Sequence, residues 1–186
     1  SLLAIAADDA KRLLAFSSLA QIGYMVLGLA LHNEAGLTGG IVHLFNHALM
    51  KSGLFLAMAC IVYRLGSTRI DAMAGLGRRM PLTMAAFVVG GLSLIGVPLT
   101  VGFVSKWYLV RAALDGPGWW LAAAILTSSL LSVVYVWKVV ESAYFRPVPD
   151  ALSVREAPLG LLVPTWVMIG ATLWFGLRTD STVGVA

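Results

Sequence analysis

Long apolar segments alternate with short polar ones along this chain. Five apolar segments have enough length to cross a bilayer, and they lie at 13–31, 38–63, 81–113, 119–145 and 159–177. A membrane-spanning helix needs about 20 mostly apolar residues, so the pattern predicts an all-α, polytopic bundle of about five transmembrane helices. Residues 1–7 are too short to cross and lack the basic start of a signal peptide. Because Met is missing at position 1, we expect residues 1–186 to be a single transmembrane domain, the C-terminal part of a longer protein.

Composition and charge agree with a membrane protein. Only 12% of the residues are charged, against about 25% in soluble domains. The basic residues are spread among loops, which argues against a nucleic-acid partner. On alternating sides of a bilayer, eight of them share one side: Lys11, Arg12, Arg64, Arg69, Arg78, Arg79, Arg146 and Arg155. The other side holds only Arg111 and Arg178. This asymmetry predicts that loops 8–12, 64–80 and 146–157 are cytoplasmic and that the chain lies in the plasma (inner) membrane.

The third apolar segment is too long for one straight span. Its 33 residues would extend about 50 Å as a helix, well beyond a hydrocarbon core of about 30 Å. Pro98 lies in its middle, where proline removes a backbone hydrogen bond and disrupts the preceding turn. We expect a helix break at Pro98, a recurring device of transporters; a simple proline kink is the alternative.

The second segment carries three titratable side chains four residues apart: His43, His47 and Lys51. This spacing keeps them near one helix face. A lysine at the centre of a span costs about 2.5–3.5 kcal/mol, so it must face protein or water. Together with histidines, which titrate near neutral pH, it indicates a proton relay. The alternative is that the histidines only form hydrogen bonds between helices.

A metal or cofactor site is not expected. The zinc-protease motif needs a glutamate directly after its first histidine, and Leu44 occupies that position. Cys60 is the single cysteine and can form no internal disulfide. The chain also lacks a cysteine cluster and a glycine-rich nucleotide loop, so any electron transfer would belong to partner subunits.

Three further charged residues lie within predicted spans. Lys106, in the third segment, either extends to the interface or forms the last station of a path that begins in the second segment. Lys138 and Glu141, three residues apart in the fourth segment, predict an ion pair that is either structural or gating. The first segment adds uncharged polar residues suited to interhelical packing, namely Ser17, Ser18, Gln21 and Tyr24.

Three motifs together resemble the proton-translocating antiporter-like family. They are residues 9–25, HLFNHALMKSGLF at 43–55 and GFVSKW at 102–107, and the similarity extends to about Lys138. The family includes membrane-arm subunits of respiratory complex I and homologous subunits of Mrp-type Na+/H+ antiporters and membrane-bound hydrogenases. The resemblance implies about fourteen helices with two inverted five-helix repeats, of which this chain covers most of the second repeat and the last core helix. It assigns His43, His47 and Lys51 to a central hydrophilic axis and Lys106 to an outlet half-channel.

The resemblance implies a proton-conducting subunit of a multisubunit monovalent cation/proton antiporter. Residues 101–110 and 135–138 are more similar to its D-type subunit than to complex I subunits. The alternatives are a proton-pumping subunit of an NADH:quinone oxidoreductase or hydrogenase complex, and a structural membrane scaffold whose buried charges pair. The expected partners are lipid, other membrane subunits, H+ and either Na+ or K+. The first repeat is missing, so this segment alone should not pump.

Overall fold

The computed structural model describes residues 1–116, 118–147 and 154–179, and these ranges are almost entirely helical. The helices are α1 Leu2–Ala6, α2 Ala10–Ala30, α3 Glu34–Leu65, α4 Leu76–Arg79, α5 Pro81–Ile95, α6 Val101–Leu114, α7 Trp119–Phe145 and α8 Leu159–Leu177. A 3-10 turn lies at Asp71–Met73. Within the described ranges no extended strand forms. The predicted all-α bundle is confirmed.

Four of these helices are long and apolar enough to span a membrane: α2, α3, α7 and α8. The fifth span is the pair α5 and α6, which together cover the third apolar segment. Large apolar side chains point outward from the spans, including Leu19, Leu130 and Val167, each about 60% exposed or more. Such an exposed apolar surface fits a lipid environment and would be unusual in a soluble monomer.

Helix α3 is the centre of the bundle and packs against α2, α5, α6 and α8. Asn33 caps its first turn by accepting a hydrogen bond from the Gly36 amide at 2.7 Å. Its side-chain amide also donates to the Ala112 carbonyl of α6 at 3.0 Å. Near this end α2 and α3 are in backbone contact, since a Cβ placed on Gly28 would lie 2.6 Å from the Gly36 carbonyl oxygen. The capping residue therefore fixes where α3 begins and how α6 meets it.

The break predicted at Pro98 is confirmed. Helix α5 ends at Ile95 and α6 begins at Val101, with Pro98 in the connection between them. The connection contains two left-handed residues, Gly96 with φ of 89° and Leu99 with φ of 76°. A left-handed leucine is strained, so surrounding contacts must hold this connection in place. The two half-helices remain in contact beyond the break, and Gly102 lies directly against the Ser93 carbonyl oxygen.

The three loops predicted to be cytoplasmic lie at one end of the bundle. The Ala10 amide donates to the Thr68 carbonyl at 2.8 Å, which joins the start of α2 to the loop after α3. The Arg64 side chain donates to the Glu156 carbonyl at 2.9 Å, and the Glu156 carboxylate accepts from the Leu82 amide at 2.8 Å. The rest of the third loop lies partly outside the described residues, at 148–153. The shared end is a structural fact, and its cytoplasmic location stays a prediction.

The predicted ion pair between Lys138 and Glu141 is wrong for the described structure. The Lys138 ammonium lies 2.8 Å from the Asp8 carboxylate and also donates to the Ala7 carbonyl at 2.8 Å, whereas Glu141 is exposed. The connection before α2 offers Lys138 a carboxylate and carbonyls at once, and one glutamate on its own helix cannot match that set. The hydrogen bond and charge of Lys138 lower the pKa of Asp8 below its ordinary value of 3.8.

Candidate functional site

Lys51 is buried in the middle of α3, with 6% of its surface exposed. Its ammonium donates to the Leu14 carbonyl at 2.6 Å and to the Ser17 hydroxyl at 2.5 Å, both on α2. The Leu14 carbonyl also accepts from the Ser18 hydroxyl at 3.2 Å. A lysine at this depth that faced lipid would have no polar partner. Lys51 instead faces the seam between α2 and α3.

Lys106 on α6 is equally buried, at 6% exposed. Its ammonium donates to the carbonyls of Leu94 and Ile95, at 2.9 and 2.8 Å. These are the last two residues of α5, and a helix end leaves carbonyls without partners inside its own helix. The helix break thus supplies the acceptors for Lys106, and the side chain does not need to reach the membrane surface for them.

Two histidines of α3 lie between Lys51 on the same helix and Lys106 on α6. His43 is fully buried, and its Nδ1 is hydrogen-bonded to the Ser105 hydroxyl at 2.8 Å. Its ring stacks on that of His47, with 6.4 Å between centroids and 15° between planes. The His43 ring and the Lys106 ammonium both lie against the Tyr24 ring, and His47 lies about one helical turn from Lys51 on α3. The predicted group of four is therefore brought together, in the order Lys51, His47, His43, Lys106.

The buried amines have no acidic partner among the described residues. The salt bridges found there are Arg69 with Asp71 and Lys138 with Asp8, all at the loop end. Removing an unpaired ammonium from water is costly, and isolated buried charges in membrane spans usually mark function. Lys51 and Lys106 are held only by carbonyl and hydroxyl groups, which do not neutralise them. A scaffold stabilised by paired charges does not fit this arrangement.

Several buried polar side-chain atoms on α2, α3 and α5 have no hydrogen-bond partner in the protein. In the described part of the chain they are Gln21 Nε2 and Oε1, His43 Nε2, Asn46 Oδ1, His47 Nε2 and Ser93 Oγ. Buried polar groups nearly always bond to protein or to ordered water. Gln21 follows Ser17 by one turn on α2, and Asn46 lies between the two histidines in the sequence of α3. Most of these atoms therefore belong to the two helices that carry Lys51 and its partners.

Three residues of the site received no role in proton transfer from the sequence. The sequence predicted interhelical packing for Ser17 and Tyr24, and Ser105 was only one residue of the motif at 102–107. The available signal was the spacing of Ser17, Gln21 and Tyr24, which places polar groups at i, i+4 and i+7 on one face of α2. All three are buried, and that face lies against α3. Sequence spacing alone did not show which helix that face meets.

Comparison with known proteins gives a consistent result. Residues 1–132 match the family described as NADH:quinone oxidoreductase/Mrp antiporter, transmembrane. The chain is 46% identical, over 98% of its length, to the NADH-quinone oxidoreductase subunit N of Desulforudis audaxviator. It superimposes on a chain of the Mrp complex from Dietzia sp. DQ12-45-1b with a TM-score of 0.90 and 28% identity over 98% of its length. A chain of an archaeal membrane-bound sulfane sulfur reductase gives a TM-score of 0.86 and 34% identity over 94%.

The chain covers only part of each of these proteins. It spans 39% of the Desulforudis subunit, 42% of the Mrp chain and 29% of the sulfane sulfur reductase chain. The family match nevertheless covers well over half of the chain itself, and four helices are able to span a membrane. This chain is a multi-pass protein of the plasma membrane and belongs to the NADH:quinone oxidoreductase/Mrp antiporter family.

Proposed function

We propose that this chain is the proton-conducting second half of an antiporter-like membrane subunit. Protons would move between Lys51 and Lys106 by way of His47 and His43. The observation that carries this proposal is the pair of buried lysines, each 6% exposed within a membrane span, with two histidines between them. Each of the four side chains can both accept and release a proton.

The geometry supports stepwise transfer. His47 and His43 are stacked. The hydroxyl of Ser105 is hydrogen-bonded to His43, and Ser105 directly precedes Lys106 on α6. The unpartnered nitrogens of both histidines offer positions for water between these groups. Because like charges repel strongly where water is scarce, a proton arriving at one group would favour departure of a proton from the next. Carbonyl and hydroxyl partners leave both lysines free to lose a proton, whereas a carboxylate would hold them charged.

For the source of energy we propose coupling to electron transfer in partner subunits of a respiratory complex. The support is the 46% identity to an NADH-quinone oxidoreductase subunit N over nearly the whole chain. A monovalent cation/proton antiporter that exchanges Na+ or K+ is the second candidate. It is supported by the TM-score of 0.90 to the Mrp chain and by the D-type resemblance of residues 101–110 and 135–138.

The role of Lys106 can be tested with the full-length protein in inverted membrane vesicles, using a pH-sensitive dye to follow proton uptake. We expect Lys106→Ala to abolish driven uptake while the protein still assembles, because alanine cannot carry a proton at the helix break. The matched control is Lys11→Ala, since Lys11 is an exposed lysine at the start of α2 and should be dispensable. Uptake by Lys106→Ala at the wild-type rate would overturn the proposed path and would favour a scaffold.

The same vesicles separate the two candidate energy sources. Proton uptake started by NADH or another reduced donor, without an imposed cation gradient, would support the respiratory assignment. Uptake that requires a Na+ or K+ gradient and ignores reductant would overturn it in favour of the antiporter. In both cases the Lys106→Ala protein should lose the response, because the proposed proton path is common to the two.

A further inference from the structure

Tyr24 on α2 contacts both His43, at the end of the histidine pair, and Lys106 on α6. Its ring meets the His43 ring edge to face, with 5.3 Å between centroids and 82° between planes. The Lys106 ammonium lies 5.2 Å from the centroid of the same ring. Tyr24 is 4% exposed, and its hydroxyl points toward the Ile125 carbonyl of α7 at 3.4 Å. The ring is therefore fixed between α3, α6 and α7.

The surroundings of Lys106 amount to a receptor for an ammonium ion. An ammonium group has three donor hydrogens, and two are directed to the Leu94 and Ile95 carbonyls. The aromatic face of Tyr24 lies within the distance of about 6 Å at which a cation is attracted by the ring. This attraction depends on positive charge, so the ring favours Lys106 in its protonated form over the neutral amine. The two carbonyls alone would discriminate less between the protonated and the neutral amine, because both forms can donate hydrogen bonds to them.

We infer that Tyr24 is a positioning residue that holds the protonated Lys106 side chain at the helix break through its aromatic face. This inference rests on the proposed function, in which Lys106 takes up and releases a proton. The ring provides the third contact of the ammonium and keeps the ammonium directed at the carbonyls that end α5. Weakening the ring's attraction should make Lys106 a poorer proton acceptor and slow driven translocation. The hydroxyl of Tyr24 is not needed for this role.

Replacing the ring in graded steps tests the inference. In the full-length protein, Tyr24→Phe keeps the aromatic face and should retain driven proton uptake close to the wild-type rate. Tyr24→Leu removes the face and should lower the initial rate about tenfold. Incorporation of 3,4,5-trifluorophenylalanine at position 24 keeps the ring shape but withdraws electron density from its face, and should lower the rate about threefold to fivefold relative to phenylalanine.

The fluorinated variant separates electrostatics from packing. If Tyr24 had only a packing role, phenylalanine and its fluorinated form would give equal rates, and that result would overturn the inference even if Tyr24→Leu failed to assemble. Fluorination of Phe87 is the matched control. This residue is 1% exposed in an apolar cluster on α5, and its fluorination should leave the rate unchanged.

The Lys106→Ala protein distinguishes the two levels of the proposal. If Lys106→Ala translocates normally, the proposed function itself fails. If Lys106→Ala is inactive while all ring variants at position 24 match the wild-type rate, the proton path stands and only the role of Tyr24 fails. If Lys106→Ala is inactive and the rates follow the strength of the aromatic face, both are supported.

Discussion

Substituting Gly102 tests whether the two half-helices must touch at the break. Gly102 lies in the first turn of α6, and a Cβ placed on it would lie only 1.8 Å from the Ser93 carbonyl oxygen of α5. Neither atom belongs to a flexible side chain, so no rotamer change can relieve the contact. Gly102→Ala should therefore force α5 and α6 apart.

The size of the effect follows from this distance. Contacts to a Cβ atom essentially never fall below 3.0 Å, so the half-helices must separate by about 1.2 Å. Overpacking a core usually costs about 1–3 kcal/mol, and a backbone-to-backbone clash belongs at the upper end, about 3 kcal/mol. The same separation would stretch the bonds from Lys106 to Leu94 and Ile95, now 2.9 and 2.8 Å, beyond ordinary hydrogen-bonding distance.

Thermal denaturation of the purified full-length protein in detergent measures the change. We expect Gly102→Ala to lower the midpoint by roughly 3 °C, because this chain spans 39% of the Desulforudis subunit and the unfolding entropy grows with the length of the protein. The matched control is Gly23→Ala on α2, where no atom lies within 4 Å of an added Cβ. This control should be neutral or slightly stabilising, because alanine favours a helix over glycine by up to about 1 kcal/mol. A Gly102→Ala protein with the wild-type midpoint would refute the tight contact between α5 and α6.

Two further predictions concern the other lysines. Lys51→Arg should lose driven proton uptake although it keeps the positive charge, because a guanidinium does not release its proton; wild-type uptake in the vesicle assay would contradict a protonation role for Lys51. Asp8→Asn should lower thermal stability slightly at pH 7, because it removes the ion pair with Lys138. The lowered pKa of Asp8 means that this stabilisation is present above about its ordinary value of 3.8 and is lost as the pH falls through the folded value. The midpoints of variant and wild type should therefore converge in acid, and a constant difference would contradict the ion pair.

The sequence predicted the helices because membrane spans are encoded locally. Apolar length placed all five spans, and Pro98 together with the excess length of the third segment placed the break. The predicted bounds of the second span, 38–63, were too short, since α3 runs from Glu34 to Leu65. The apolar pattern begins at Thr38, whereas the helix begins directly after its cap at Asn33. The partner of Lys138 was missed because Asp8 is 130 residues away in sequence.

The site was predicted only as far as it lies on single helices. The spacing of His43, His47 and Lys51 identified one face of α3. The helix break at Pro98 favoured Lys106 as a further residue of the same proton path. The contacts that join them depend on how α2, α3 and α6 are packed. Tyr24 touches His43 and Lys106, which lie on two other helices, and no local pattern in α2 indicates that. Their roles in proton transfer stay predictions.

The left-handed connection between the half-helices is also confined by α8. Gly176, near the end of α8, lies so close to it that an added Cβ would be 2.5 Å from the Leu99 carbonyl oxygen and 2.7 Å from the Thr100 Cα. The same short connection is thus wedged between α8 on one side and the Gly102 contact with α5 on the other. If Lys106 rearranges during turnover, the connection cannot shift freely, and α8 must tilt or slide with it. Helix α8 would then transmit local movement at the lysine to the outer surface of the bundle.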